Sequence, residues 1–402
     1  MAIFRYTAKD FEAHTFTGKI TATDQLAVVD ELRKRKLIII SIEEEKAATF
    51  MPSVEQTAPI KVEDVILFTR QMATMVDAGI PILQTVDALQ EQMVNPSFKK
   101  ILAAVRDDIR LGSSLSASFA KYPKVFDGLF VNMIRVGESG GVLTTVLERL
   151  SSYMEKSDRL KRKISGALIY PSVIVSMAMI ITVILLIKVV PTFSGIYASF
   201  NRKLPAMTQV LVNISDALKN NFLVIMVVIG AIVAAFVAYQ RTEKGAYRID
   251  GLKLKAPVFG ELLKKVAVSR FCRTLSVLLQ SGVPILEGLD IVRKTIGNRV
   301  LEGVIEKVVA SVREGESIAE PLGRSEVFPS MVTKMISVGE QSGQLDKMLV
   351  KVADFFDEQV DAAVETLTSL IEPFIIGFLG IVIGFIVIAL FMPIISMTQM
   401  IN

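Results

Sequence analysis

Phe68-Thr69-Arg70-Gln71 opens a stretch that runs to Gly79-Ile80-Pro81-Ile82-Leu83 and on to Val136-Gly137-Glu138-Ser139-Gly140-Gly141, and the chain then says it again. Phe271-Cys272-Arg273 opens the second copy, followed by Gly282-Val283-Pro284-Ile285-Leu286 and Val338-Gly339-Glu340. Phe68 and Phe271 stand 203 residues apart, Glu138 and Glu340 stand 202 apart, and one gap near Pro123 aligns the copies to the end. Each copy then enters an apolar run with matching prolines, Pro171 and Pro191 in the first, Pro373 and Pro393 in the second. A duplication of this length sets the frame for every local motif. The fold it predicts is mainly α, with two duplicated cytoplasmic helical-bundle domains, three transmembrane helices and a small α+β amino-terminal module.

Within each copy the apolar residues fall at helical spacing, as at Ile66, Thr69, Met72, Met75 and Val76 or Phe271, Leu275, Leu278 and Leu279. The first helix is expected to stop at Gly79 or Gly282, because glycine tolerates the left-handed conformation of a helix end. Pro81 or Pro284 then starts the next helix at its first turn, giving a tight helical hairpin. Gly112-Ser113-Ser114 and Gly315-Glu316-Ser317 mark a further break. The glycine-rich sites around Gly137, Glu138, Gly339 and Glu340 are not phosphate loops, since no Lys-Ser or Lys-Thr follows and no strand precedes. They read as helix–turn–helix corners, with Glu138 and Glu340 as functional contacts the alternative reading.

The 402 residues are 51% hydrophobic and the mean hydropathy is +0.49, too apolar for an ordinary soluble protein. Ala167 to Ile187 carries no charge, and at about 1.5 Å per residue it covers a hydrocarbon core of roughly 30 Å. Phe374 to Ile395 supplies a second run of this kind, within an uncharged carboxyl-terminal stretch that begins at Pro373. Phe222 to Tyr239 is a shorter uncharged run without a counterpart in the repeat. If both polar regions lie on one side, the chain must return between them, and this run is the natural return helix. Met1-Ala2-Ile3-Phe4-Arg5-Tyr6 has neither the basic start nor the apolar stretch of a secretory signal, so insertion is expected to use internal spans.

Basic residues set the orientation. Lys156, Arg159, Lys161, Arg162 and Lys163 precede the first span, and Arg241, Lys244, Arg248, Lys253 and Lys255 follow the second. The intervening loop has Arg202, Lys203 and Lys219. Both polar regions and the amino terminus are therefore expected in the cytoplasm and the carboxyl terminus outside, with Lys188 snorkelling at the outer interface. The layout expected is a small module over 1–48, a linker over 49–60, the first helical repeat over 61–165, a span over 166–190, an external loop over 191–221, a span over 222–239, the second repeat over 256–368 and a last span over 373–397. In the module, Ile3–Tyr6 and Gly18–Thr21 suit a strand pair, Thr23 can cap a helix through Leu32, and Leu37–Ile42 reads as a closing strand.

The copies differ most where they enter the membrane. Lys156, Arg159 and Lys163 share one helix face, and their repeat equivalents are Glu358, Asp361 and Glu365, with Asp354 and Asp357 extending the acidic face. The basic face suits membrane orientation and anionic lipid. The sharper reading is that the two pre-membrane helices pair through complementary charge, within or between protomers.

A net charge of +4 gives no sign of nucleic-acid binding. One Cys and one His exclude a disulfide framework and a zinc site of the usual ligands, and the lone His14 leaves no Ser-His-Asp set. No catalytic residue, metal or cofactor is expected, and the chain reads as non-enzymatic.

Duplicated domains bearing Phe-Thr-Arg-Gln, Ala-Gly-Ile-Pro and Val-Gly-Glu-Ser-Gly-Gly, with three spans at these positions and Tyr170-Pro171 and Glu372-Pro373 at two span entrances, resemble the type II secretion F family. These are the inner-membrane platform proteins of type IV pilus and type II secretion machines, and the resemblance covers essentially the whole chain. It implies a non-enzymatic homo-oligomer in the bacterial cytoplasmic membrane, coupling a separate hexameric cytoplasmic ATPase to addition or removal of pilin or pseudopilin subunits, alongside other inner-membrane assembly components. Gly377, Gly380 and Gly384 would then allow close helix approach, in the platform or toward a pilin helix. Asp77-Ala78-Gly79-Ile80-Pro81 looks more like the pilus branch than the secretion branch. The readings from other classes are a secondary transporter, against which the spans contain no Asp, Glu, Arg or His, and a membrane adaptor or receptor without motor coupling.

Overall fold

The computed structural model describes residues 2–9, 15–22, 28–29, 38–45, 58–199, 205–325 and 327–398. The chain divides into two compact units, Met1–Pro59 with Val94–Phe98, and Ile60–Met93 with Lys99–Asn402. In the first, strands Ala2–Lys9, Thr15–Ala22 and Ile38–Glu45 form an antiparallel sheet with Ala2–Lys9 in the centre. Phe4 pairs with Ile20 and Tyr6 with Gly18 on one side, while Tyr6 pairs with Ile42 on the other. Of the helix expected from Thr23 to Leu32 only Val28 and Val29 are described, both helical. His14 and most of the linker lie outside the described residues.

The duplication is legible element by element. Helices Val62–Asp77, Ile82–Gln92, Pro96–Arg110, Leu115–Ala120 and Gly128–Gly140 lead into a long helix, Leu143–Ile184. Phe259–Gln280, Ile285–Thr295, Arg299–Arg313, Ala319–Gly323 and Ser330–Ser342 repeat the order and lead into Leu345–Thr398. Each long helix carries a polar half and an apolar half without a break, so domain and span are one rod.

The hairpin closes through backbone groups. Gly79 has φ +79°, and the Ile80 N–H donates to the Met75 carbonyl at 3.0 Å, while Gly282 has φ +87° and Val283 donates to Leu278 at 3.0 Å. Pro81 and Pro284 sit one residue earlier than expected, at the N-cap and not in the first turn. Their extended ψ of 141° and 142° lets their own carbonyls accept the first helical bonds, from Thr85 at 2.9 Å and Gly288 at 2.8 Å.

Phe68 and Phe271 anchor the two cores. Phe68 meets Phe119 edge-on at 6.1 Å between ring centres, and Phe119 lies 4.3 Å from Phe126 and 5.2 Å from Phe130. In the second copy Phe271 meets Phe328 at 5.1 Å, with Leu322 and Val332 buried at the positions that Phe119 and Phe130 hold in the first. Aromatic rings in one copy are thus traded for aliphatic packing in the other.

Among the described residues three helices are long and apolar enough to cross a membrane, in the stretches Leu143–Phe193, Phe222–Gln240 and Leu345–Met392. The segment 191–221, expected as a loop, is mostly helical: Val190–Ser199 continues the first rod through a π turn at Leu185–Val189, and Ala206–Asn220 is a separate helix. Thr208, Leu211, Val212 and Ser215 recur every three or four residues and form its buried face, which packs on Leu186, Val190, Ile386 and Ala389. The Thr208 hydroxyl donates to the Ala389 carbonyl at 2.6 Å and that of Ser215 to the Leu186 carbonyl, so this helix ties the first and third spans together. Phe222–Gln240 has no buried residue.

Candidate functional site

Glu138 lies near the end of helix Gly128–Gly140, and its carboxylate reaches back to the start of Leu115–Ala120. One oxygen accepts from the Leu115 N–H at 2.5 Å, the other from the Ser116 N–H at 3.0 Å and the Ser116 hydroxyl at 2.5 Å. Glu340 does the same in the second copy, accepting from the Ile318 N–H at 2.6 Å and the Ser317 hydroxyl at 2.5 Å. Free N–H groups at a helix start need an acceptor, and an anion there also meets the positive end of the helix dipole. The glutamate of each corner is therefore a cap supplied from a neighbouring helix.

The adjacent glycine lets the corner fold. A Cβ on Gly137 would lie 3.1 Å from Leu143 Cα, and one on Gly339 would lie 2.9 Å from Leu345 Cα. At Gly79 a Cβ would meet nothing within 4 Å, so only its left-handed backbone resists substitution. Gly339→Ala should cost about 2 kcal/mol, because backbone must move, and Gly79→Ala about 1 kcal/mol of backbone strain. Denaturant unfolding of the detergent-solubilised protein checks the order, and equal losses would contradict the close-packed corner.

The charged faces meet along the seam between the copies. Lys156 pairs with Asp354 at 3.3 Å, and Lys163 with Asp361 at 2.8 Å and Glu365 at 4.0 Å. Below these pairs Leu160, Ile164 and Ala167 pack on Leu262, Val360, Val364 and Leu367. Lys156–Asp354 and Lys163–Asp361 share a sequence offset of 198, one helical turn away from the repeat offset of 202. That shift leaves Glu358 without Lys156, its repeat equivalent. It puts Asp357 at the level of Arg159, but Asp357 is already engaged. Among the described residues neither Arg159 nor Glu358 joins an ion pair. Exchanging Lys163 and Asp361 (Lys163→Asp with Asp361→Lys) should recover the roughly 0.5 kcal/mol lost in either single reversal. A double-mutant cycle with zero coupling would show the pair idle.

The engaging group is one that the sequence reading quoted but did not single out. Arg273, with a side chain 9% exposed, donates to Asp354 at 2.8 Å and to Asp357, which also accepts from the Ser269 hydroxyl. Its equivalent Arg70 meets Glu155 at 3.1 Å with a side chain 69% exposed. The same arginine is thus buried in the second copy and open in the first, because the first rod, beyond packing on its own copy, also lies across the second. Tyr153 of that rod meets the Thr274 hydroxyl at 3.1 Å, and the Arg149 guanidinium donates to the Gln280 carbonyl. Burial resists ionisation of Asp354, but the hydrogen bond and charge of Arg273, aided by Lys156, outweigh it and hold the carboxyl below its ordinary value. Burial pushes the Tyr153 hydroxyl and the Cys272 thiol up, leaving both neutral packing groups.

Pro171 is buried inside the first rod, and Pro373 lies inside the second. A Cβ at Gly377, Gly380 or Gly384 would meet nothing within 4 Å, so these glycines do not bring the described helices of one chain together. The described residues hold no group of three His, Cys, Asp or Glu side chains suited to a metal.

A rod-and-bundle unit present twice, sealed by charge and with its first and third spans tied by one helix, defines a duplicated membrane scaffold. The family described as "Type II secretion system (T2SS), protein F" matches residues 68–191 and 271–393, and its amino-terminal domain matches 1–43. The chain is 41% identical to "Type IV pilus assembly protein PilC" of Myxococcus xanthus over 98% of its own length and 95% of that protein's. It is 39% identical to the protein of the same name in Thermus thermophilus, over 98% and 97%. It is 32% identical to "Type II secretion system protein F" of Vibrio cholerae over the full length of both. The chain belongs to the type II secretion system protein F family.

Proposed function

We propose that the chain is the inner-membrane platform of a type IV pilus machine. The observation that carries this is full-length similarity to pilus assembly proteins reaching 41% identity, against at most 32% for three secretion proteins F. Basic residues beside the spans favour cytoplasmic repeats and an external carboxyl terminus. In this reading the repeats receive a separate hexameric ATPase, the spans receive a pilin helix arriving through the bilayer, and several copies assemble. The chain itself performs no catalysis: it converts ATPase movement into subunit insertion. Its long helices suit that task, since each runs as one continuous helix from bundle to span.

The test is cross-linking of the tagged protein in living cells, with partners identified by mass spectrometry. Recovery of a hexameric assembly ATPase together with a pilin is the expected result. Pseudopilins in place of pilins would move the chain to a secretion machine, and recovery of neither, in cells expressing both, would overturn the platform. Solute movement by the purified protein reconstituted alone would establish a transporter instead.

A further inference from the structure

A cavity lies between the two copies where the first rod enters its apolar half. Its polar wall carries Lys156, Lys161, Arg270 and Arg273 against one acid, Asp357. Lys156 and Arg273 are engaged by Asp354 and Asp357, and both oxygens of Asp357 are taken by Arg273 and Ser269. Lys161 and Arg270 join no ion pair among the described residues, although Arg270 donates weakly to the Ile296 carbonyl at 3.4 Å. The cavity therefore holds two uncompensated positive charges beside the Ser157 and Ser165 hydroxyls. Its remaining wall is apolar, from Leu160, Ile164 and Val266.

Ser165 also begins a shallow groove on the surface of this one helix, which follows the first span past Leu168, Ser172, Val173 and Met177 to Ile180. Ser157, Lys161, Ser165, Leu168, Ser172 and Ser176 recur every three or four residues, so cavity and groove share one face of one helix. From Ser165 to Ile180 the groove runs about 22 Å, longer than the roughly 15 Å of one leaflet's hydrocarbon. A basic pocket at the polar end of the first span, continuous with an apolar helix face of acyl-chain length, matches one amphiphile. We propose that this site binds an anionic phospholipid, its phosphate between Lys161 and Arg270 and one acyl chain along Leu168–Ile180. The apolar helix face is what would select a lipid over a soluble phosphate, which would use only the cavity.

The seat has a structural consequence. Its walls come from the first rod and from helix Phe259–Gln280 of the second copy, so the phosphate would bridge the copies beside the Lys156–Asp354 and Arg273–Asp357 pairs. Lipid composition would then set how firmly the two halves are held together.

The experiment is native mass spectrometry of the full chain from nanodiscs of equal phosphatidylglycerol and phosphatidylcholine. Phosphatidylglycerol should be retained preferentially. Lys161→Glu with Arg270→Glu should lower that retention tenfold or more, at about 1 kcal/mol per basic residue lost. Ser172→Trp, which fills the groove without altering charge, should lower it too, and Lys244→Glu, basic and near the membrane but outside the cavity, should not. Equal retention of the two lipids would overturn the site, as would equal loss in Lys244→Glu. Displacement of the lipid by millimolar inorganic phosphate, with Ser172→Trp without effect, would reassign the cavity to a soluble anion. Each variant is compared at unchanged melting temperature, and Ser172→Trp supplies the answer if the charge reversal does not fold.

Discussion

Glu138→Ala is expected to speed hydrogen exchange at the Leu115 and Ser116 amides about a hundredfold, and Glu340→Ala to do the same at Ile318. The carboxylate of Glu138 accepts three hydrogen bonds from the start of one short helix, two from backbone N–H groups and one from a hydroxyl. Hydrogen bonds to a charged group contribute about 1.5–3 kcal/mol each, and their losses overlap because water reaches part of the site. A total near 3 kcal/mol is therefore reasonable, and at about 1.4 kcal/mol per tenfold it gives the hundredfold. Glu138→Gln keeps one acceptor oxygen and should recover about half of the effect. Unchanged exchange at Leu115 in Glu138→Ala would mean that the carboxylate does not cap that helix in solution.

That cap also shows where sequence reasoning stops. The breaks at Gly112-Ser113-Ser114 and Gly315-Glu316-Ser317 and the glutamates at the corners were each visible, and their separation is nearly the same in both copies. What joins them is the fold of the intervening helices, which no local pattern encodes. The spans were legible because lipid leaves a run of uncharged residues no alternative reading. The helix Ala206–Asn220 was missed for the opposite reason. Its buried face includes Thr208 and Ser215, which a hydropathy scan counts as polar although both donate to carbonyls of neighbouring spans. The periodicity at Thr208, Leu211, Val212 and Ser215 was available and would have found it. For the charged faces, residue type and sign were readable, but not the one-turn shift that pairs Lys156 with Asp354 and leaves Arg159 aside.

The buried copy of the duplicated ion pair should matter far more than the exposed one. Arg70→Ala removes a pair on the surface, where such contacts contribute at most about 1 kcal/mol. Arg273→Ala removes the shared partner of Asp354 and Asp357 beneath the first rod. Breaking a fully buried pair costs about 3–5 kcal/mol, but these acids keep 52% and 31% of their side chains in water, so the expected loss is nearer 3 kcal/mol. Unfolding of the detergent-solubilised protein in denaturant measures both variants. The pH dependence separates charge from packing. The folded Asp354 carboxyl sits below its ordinary value, so its stabilisation is complete above the unfolded value of about 3.9 and is lost as pH falls through the folded one. The gap between the wild type and Arg273→Ala should therefore hold steady through neutral pH and shrink on acidification below about pH 4. A gap that persists undiminished there would assign the effect of Arg273 to its packing against the seam, and a loss equal to that of Arg70→Ala would show that the seam opens in solution. The duplication makes this a controlled comparison, because one chain carries the same pair in two environments.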